Sequence, residues 1–230
     1  MTKKGHGSSA WGDRHESARV IVFWRHGRTA WNAERRFQGQ SDIPLDDAGV
    51  AQAARAATSL ARLKPHRIVS SDLVRASATA DALAALTGLD VHTDADLRET
   101  FAGEWEGLTR DELEERFGSQ LANWGAGADV RPGGGETRVE VAARVVAAVD
   151  RALADVSPGQ TLVVATHGGS ARAGIAALLG LPPEHWAALG VLANCAWSVL
   201  QENTSGAGPA WRLQEYNAGS LPRAALADDR

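Results

Sequence analysis

Two apolar runs constrain the fold more than any other feature of the chain. Val20-Ile21-Val22-Phe23-Trp24 leads into Arg25-His26-Gly27-Arg28-Thr29-Ala30-Trp31-Asn32, and Thr161-Leu162-Val163-Val164-Ala165 leads into Thr166-His167-Gly168-Gly169. Short continuous apolar runs of this kind read as buried strands, and the polar residues after them as loops at the strands' C-terminal ends. In open α/β sheets that edge is where ligands bind. Each strand would deliver a histidine followed by glycine to the same edge.

Strand and helix signals alternate through most of the chain. Residues 46–63 read as a helix stopped by Pro65, 67–71 as a strand, and 72–86 as a helix ended by Gly88, with Arg75 in its first turn. A short strand follows at Val91, then a charged helix at 109–117, a helix at 139–154 and another at 170–179. A short helix at 184–189 and strands at 194–200 and 210–216 close the pattern. Residues 33–46 read as a loop folding back over the site, and 118–135 as the least regular stretch; its Gly133-Gly134-Gly135 run lacks the Gly-Lys-Ser/Thr of a P-loop. The alternation predicts an α/β fold with a predominantly parallel sheet covered on both faces. Residues 19–218 are expected to form one domain between a flexible tail at 1–18 and a C-terminal tail at 219–230.

A net charge of −4 gives no global attraction to nucleic acid or to an anionic membrane, so any anion site must be built locally from arginines. The single cysteine, Cys195, excludes an internal disulfide and a thiolate zinc cluster. With no apolar leader before Val20 and no stretch long enough to span a membrane, the expectation is a soluble cytoplasmic protein.

The RHG element at Arg25, SSDLVRASATA from Ser70, LRETFAGEWEGLT from Leu97 and THGG from Thr166 together resemble the histidine phosphatase superfamily, in its phosphoglycerate-mutase-like branch. The resemblance runs from Val20 to Ala218. Within that branch RVEVAARV, WAALGVLANCAW and WRLQEYNAG are most similar to the glucosyl-3-phosphoglycerate phosphatases. It implies a three-layer α/β/α sandwich and a catalytic set of Arg25, His26, Arg75, Glu99 and His167, with His26 as nucleophile and Glu99 as proton donor. Asn32, Gln38, Gly39 and Gly168 match positions that line the phosphate or substrate pocket. It also implies a homodimer, for which the Trp-rich terminal strands offer an edge. The chain departs from the family at Trp24 and at Arg28, where Glu or Gln is usual. Arg28 either favours an acidic substrate at the pocket or pairs with a loop carboxylate.

The chemistry fits these residues. A phosphate monoester repels nucleophiles by its charge, and Arg25, Arg75 and a protonated or donating His167 would surround its oxygens as a metal does elsewhere. Neighbouring guanidinium groups favour a neutral, nucleophilic His26, whose other ring N–H would find a carbonyl near Gly27. No metal or other cofactor is then required, and the expected partner is a small phosphorylated metabolite.

Three rivals are weaker. A cofactor-dependent phosphoglycerate mutase would carry Arg-His-Tyr-Gly after the catalytic glutamate, whereas Glu99 is followed by Thr100-Phe101-Ala102-Gly103-Glu104-Trp105-Glu106-Gly107. A silent phospho-ligand binder would have lost a charged core position. A metal site at His26 and His167 is opposed by Arg25, which would repel a divalent cation. Glu104 and Glu106 read as helix-capping or solvated; His66, His92 and His185 as core or surface residues; His6 and His15 as tail. The leaving group would be read by residues 35–43, 121–136 and 186–194.

Overall fold

The computed structural model describes residues 17–219; the expected tails at 1–18 and 219–230 lie almost wholly outside them. A six-stranded sheet runs in the order β3-β2-β4-β1-β5-β6, with β1 at Val20–Arg25, β2 at Arg67–Ser70, β3 at Val91–Thr93, β4 at Thr161–Thr166, β5 at Trp197–Glu202 and β6 at Trp211–Ala218. The first four strands are mutually parallel, and β5 and β6 add an antiparallel flank. Helices α2 (Asp47–Leu60) and α3 (Val74–Thr87) cover one face; α5 (Arg138–Leu153) and α6 (Gly168–Leu178) cover the other. The sandwich is therefore three-layered, as expected. Among the described residues no helix is long and apolar enough to cross a membrane.

The pleat of β1 sorts its side chains between two cores. Ile21 and Phe23 join Val145, Val149 and Ile175 beneath α5 and α6. Val22 and Trp24 join Ala53, Ala56, Ala57 and Leu83 beneath α2 and α3. Trp24 is fully buried there and donates its indole N–H to Cys195 O at 3.2 Å, so its departure from the family is a core substitution accommodated by alanine-rich helices.

Several boundaries differ from expectation; β5 runs from Trp197 to Glu202 rather than over the expected 194–200, and three further differences bear on the site. Thr29 caps a single helical turn, α1 (Ala30–Ala33), through a capping box with Asn32, inside the stretch read as loop. Helix α4 spans Arg110–Gly125 rather than stopping at Phe117. It bends at Phe117 and continues past Gly118 because Leu121 and Trp124 reach a satellite cluster around Ala102, Trp105 and Leu113. Helix α6 begins two residues early, directly after His167, which leaves the N–H groups of Gly169 and Ser170 for another acceptor.

Candidate active site

Backbone pairing brings the two histidines together. In the β1–β4 ladder Arg25 lies opposite Thr166, so the next residues, His26 and His167, leave the sheet side by side, with ring centroids 5.1 Å apart. The N–H of His26 donates to Thr166 O at 3.0 Å, and Cys195 N and Asn194 Nδ2 donate to His26 O. The loop is held from below as well: Gly27 N donates to Thr79 Oγ1, whose hydroxyl donates to Arg75 O.

The state of His26 follows from its partners. Its Nδ1 lies 2.7 Å from Gly27 O, a pure acceptor, so Nδ1 carries the proton and Nε2 keeps its lone pair. Burial, then the charges of Arg75 and Arg25, hold its pKa well below the usual imidazole range, against the opposing pull of the Gly27 bond. His26 is therefore neutral. The acceptor near Gly27 that the sequence leaves unidentified is Gly27's own carbonyl.

His167 is neutral too, which removes the protonated alternative. It is fully buried, and burial followed by Arg75, His26 and Arg25 keeps its pKa well below the usual range. Arg75 Nε donates to its Nδ1 at 3.2 Å, so the proton sits on Nε2, 2.9 Å from Ser71 Oγ. Arg75 is otherwise committed to Ser41 O at 2.7 Å and Gly39 O at 2.8 Å. Burial pushes its pKa down to about 10, which leaves it charged at neutral pH. Arg25 donates to Leu192 O.

Glu99 is docked on the first turn of α6. Its carboxylate accepts from Thr100 N at 2.8 Å, Gly169 N at 3.0 Å and Ser170 N at 3.1 Å, satisfying the donors that the early start of α6 exposes. Arg144 of α5 clamps the backbone beneath it, donating to Asp96 O, Arg98 O and Glu99 O and pairing with Glu136. Sequence reasoning did not single out Arg144. Its signal was a lone charged residue in 141–149, a stretch otherwise made of Val and Ala.

A cavity of about 590 Å³ opens over these groups, lined at its inner end by Arg25, His26, Asn32, Gln38, Gly39, Arg75 and Glu99. Asn32 Oδ1 accepts from Thr29 N and Asn194 Nδ2, and Gln38 Oε1 accepts from Thr29 Oγ1. Both amides thus turn their acceptors toward protein and retain NH₂ donors that find no partner among the described residues. Gly39 acts through its carbonyl on Arg75, and its φ of 52° with Glu106 where a Cβ would stand admits no side chain.

Two expected pocket residues lie elsewhere. The Arg28 guanidinium pairs with Asp46, the N-cap of α2, at 2.8 Å and does not line the cavity. Gly168 sits behind the pocket, where a Cβ would strike Val191 and approach Arg25 Nε within 3.4 Å, and Gly169 faces the cavity instead. Glu106 does more than cap the 103–105 turn: it accepts from Gln40 N and Ser41 Oγ as well as from Ala102 N, and so clips the 38–41 loop over the site. Among the described residues no group of three or more His, Cys, Asp or Glu side chains is arranged to hold a metal ion.

A family model described as Histidine phosphatase superfamily (branch 1) matches residues 21–218. The chain belongs to the histidine phosphatase superfamily. It is 40% identical over 215 residues to glucosyl-3-phosphoglycerate phosphatase of Mycobacterium tuberculosis, covering 88% of this chain and 96% of that protein. It is also 40% identical over 189 residues to the probable phosphoglycerate mutase GpmB of Shigella boydii, covering 80% and 86%. A solved structure of the mycobacterial glucosyl-3-phosphoglycerate phosphatase in complex with VO3 aligns with a TM-score of 0.81 at 41% identity, over 88% of this chain and all of that one. With the family match and the phosphatase relative together, this histidine phosphatase is a phosphoric monoester hydrolase.

Proposed function

We propose that the chain hydrolyses glucosyl-3-phosphoglycerate through a phosphohistidine on His26, without a metal ion. The observation that carries this reading is the neutral His26 between two arginines at the floor of the cavity, its proton fixed on Nδ1 and its Nε2 lone pair available. The Nε2 lone pair attacks phosphorus as the P–O ester bond breaks, and protonated Glu99 delivers its proton to the departing alkoxide. Water then attacks phosphorus, the P–N bond breaks, and Glu99 takes the water's proton. Arg25, Arg75 and the free amide donors of Asn32 and Gln38 stabilise the equatorial oxygens in both steps. His167, turned toward Ser71, orients Arg75 through Nδ1.

Hydrolysis rather than phosphoryl return to glycerate is supported by the residues after Glu99 and by the phosphatase relative, which aligns over 88% and 96% of the two chains against 80% and 86% for the mutase relative. The experiment is phosphate release in EDTA from glucosyl-3-phosphoglycerate, 3-phosphoglycerate, phosphosugars and p-nitrophenyl phosphate, with alkaline detergent-quench trapping of an acid-labile, base-stable phosphoenzyme. Preferred release from the first, with label on His26, supports the reading. EDTA-sensitive turnover, or interconversion of phosphoglycerates without phosphate release, overturns it. Such charged esters do not cross membranes unaided, which supports a cytoplasmic setting; cell fractionation checks it. The open edge of β6 supports a homodimer, which light scattering checks against a monomer mass of 24.3 kDa.

A further inference from the structure

Away from the catalytic centre the cavity is bordered by Arg172 of α6, one helical turn beyond Gly169, together with Thr100 and Trp124. Arg172 is half-buried, yet its guanidinium makes no hydrogen bond and no ion pair among the described residues. Burial holds its pKa below the ordinary arginine value. The nearby acids do not neutralise it by contact: Glu99 is occupied by the N–H groups of Thr100, Gly169 and Ser170, and the Tyr216 phenol, raised to about 12 by burial, is neutral and donates to Gly190 O.

A second cation stands behind the first. Arg138 of α5 lies over the Trp124 ring at 3.8 Å and donates to Trp124 O at 2.6 Å, while its buried Nε has no partner among the described residues. Its pKa falls to about 10, through burial first and the charge of Arg172 second. A narrow cleft lined by both arginines, Thr100 and Gly169 separates them, with no carboxylate lining it. Three other arginines of the cavity differ in this respect. Arg75 is spent on two carbonyls and His167, while Arg36 and Arg110 at the rim pair with Glu34 and Glu114. Two desolvated guanidinium groups facing each other are costly unless an anion arrives to share them.

We propose that Arg172, backed by Arg138, is the receptor for a carboxylate on the leaving group, so that the enzyme selects phosphoesters of hydroxy acids over those of neutral alcohols. The inference rests on the phosphatase reading and names the group by which it recognises its substrate. A phosphoglyceryl ester carries its carboxylate two carbons from the ester carbon, and Arg172 lies beside Glu99, where the departing oxygen is protonated. The guanidinium fork offers that carboxylate two parallel N–H donors.

The test is calorimetric binding of 3-phosphoglycerate and of glycerol 3-phosphate, which share the phosphoester and differ in carboxylate against hydroxymethyl. The host is the His26→Ala protein, which lacks the nucleophile. That protein should bind the acid about 10- to 100-fold more tightly than the neutral alcohol ester, the span of a charged hydrogen-bonded contact. Adding Arg172→Gln should bring the ratio close to one, and Arg172→Lys should leave it between the two. A ratio near one in the His26→Ala protein, or a ratio that survives Arg172→Gln, overturns the receptor. If Arg172→Gln fails to fold, Arg172→Lys decides: an undiminished ratio overturns the proposal. Turnover of either ester by His26→Ala would instead sink the phosphohistidine reading, and the ratio, then read as inhibition constants against p-nitrophenyl phosphate, would still judge the receptor.

Discussion

The two ends of the cavity are built on opposite plans. At the inner end charge and hydrogen bonding are largely spent within the protein: Arg75 holds two carbonyls and His167, His26 holds Gly27 O, and Glu99 is oriented by backbone N–H groups. At the outer end Arg172 and the Nε of Arg138 have no hydrogen-bond partner among the described residues, beside a small aromatic cluster outside the two main cores. The difference separates two tasks. A phosphoryl group is the same in every substrate, so its site is preorganised to a fixed geometry, whereas the leaving group is met by cations whose partner must come from outside.

The largest expected effect lies at the inner end. His26→Ala should lower kcat by roughly 10^4-fold or more, because among the described residues no other cavity-lining group is a neutral imidazole with an available lone pair. Near-normal phosphate release by that variant would dissolve the contrast between a chemical end and a recognition end. Glu99→Gln should slow an alkyl phosphoester by about 10^2-fold and an aryl ester much less, since a phenolate leaves with little protonation. Equal losses on both esters would remove Glu99 from the proton-donor role.

A stability measurement sharpens the comparison from the other side. Trp105→Ala should cost about 3 to 5 kcal/mol in urea unfolding, because a fully buried indole that Phe37, Phe117 and Trp124 touch is lost. Its KM should rise more than its kcat falls, since the damage sits under Trp124; a larger kcat loss would mean the two ends are not separable.

Acidification probes the inner end alone. His26 and His167 remain neutral in the fold well below pH 6.5, while the unfolded chain protonates them near that value. Their contribution to stability is therefore present above about pH 6.5 and lost as pH falls below it, by up to about 1.4 kcal/mol per pH unit for each histidine. Urea midpoints at pH 7.5 and 5.5 check the slope, and His26→Ala should make it shallower. The smallest effect belongs to Arg28→Ala: its ion pair with Asp46 is partly exposed and outside the cavity, so stability should change by less than about 1 kcal/mol and kcat/KM by less than about twofold. A larger kinetic loss would return Arg28 to the pocket.

What could be read in the chain divides along the same line. The inner set was legible because strand, turn and helix start are contiguous in sequence: β1 ends at Arg25, β4 at Thr166, and Arg75 falls in the first turn after β2. The roles of Arg28, Arg144, Arg172 and Glu106 were not, because each depends on a partner, or the lack of one, set by tertiary packing. Arg28 finds Asp46 across a loop, Arg144 reaches from α5 under Glu99, and Glu106 spans to Gln40 and Ser41. The length of α4 was hidden for a similar reason: Gly118 signals an end, and only the apolar neighbours of Leu121 and Trp124 carry the helix through it.

Strand β1 is hydrogen-bonded along its length on both sides, parallel to β4 and antiparallel to β5. It therefore opens only when the sheet itself comes apart, and its amides should exchange with deuterium last, at the free energy of global unfolding. The satellite cluster, with three buried side chains, can loosen first. A lineage drifting in sequence can then remodel its choice of leaving group in a part of the chain that melts early and locally, while the nucleophile rides on the segment that selection has least freedom to disturb.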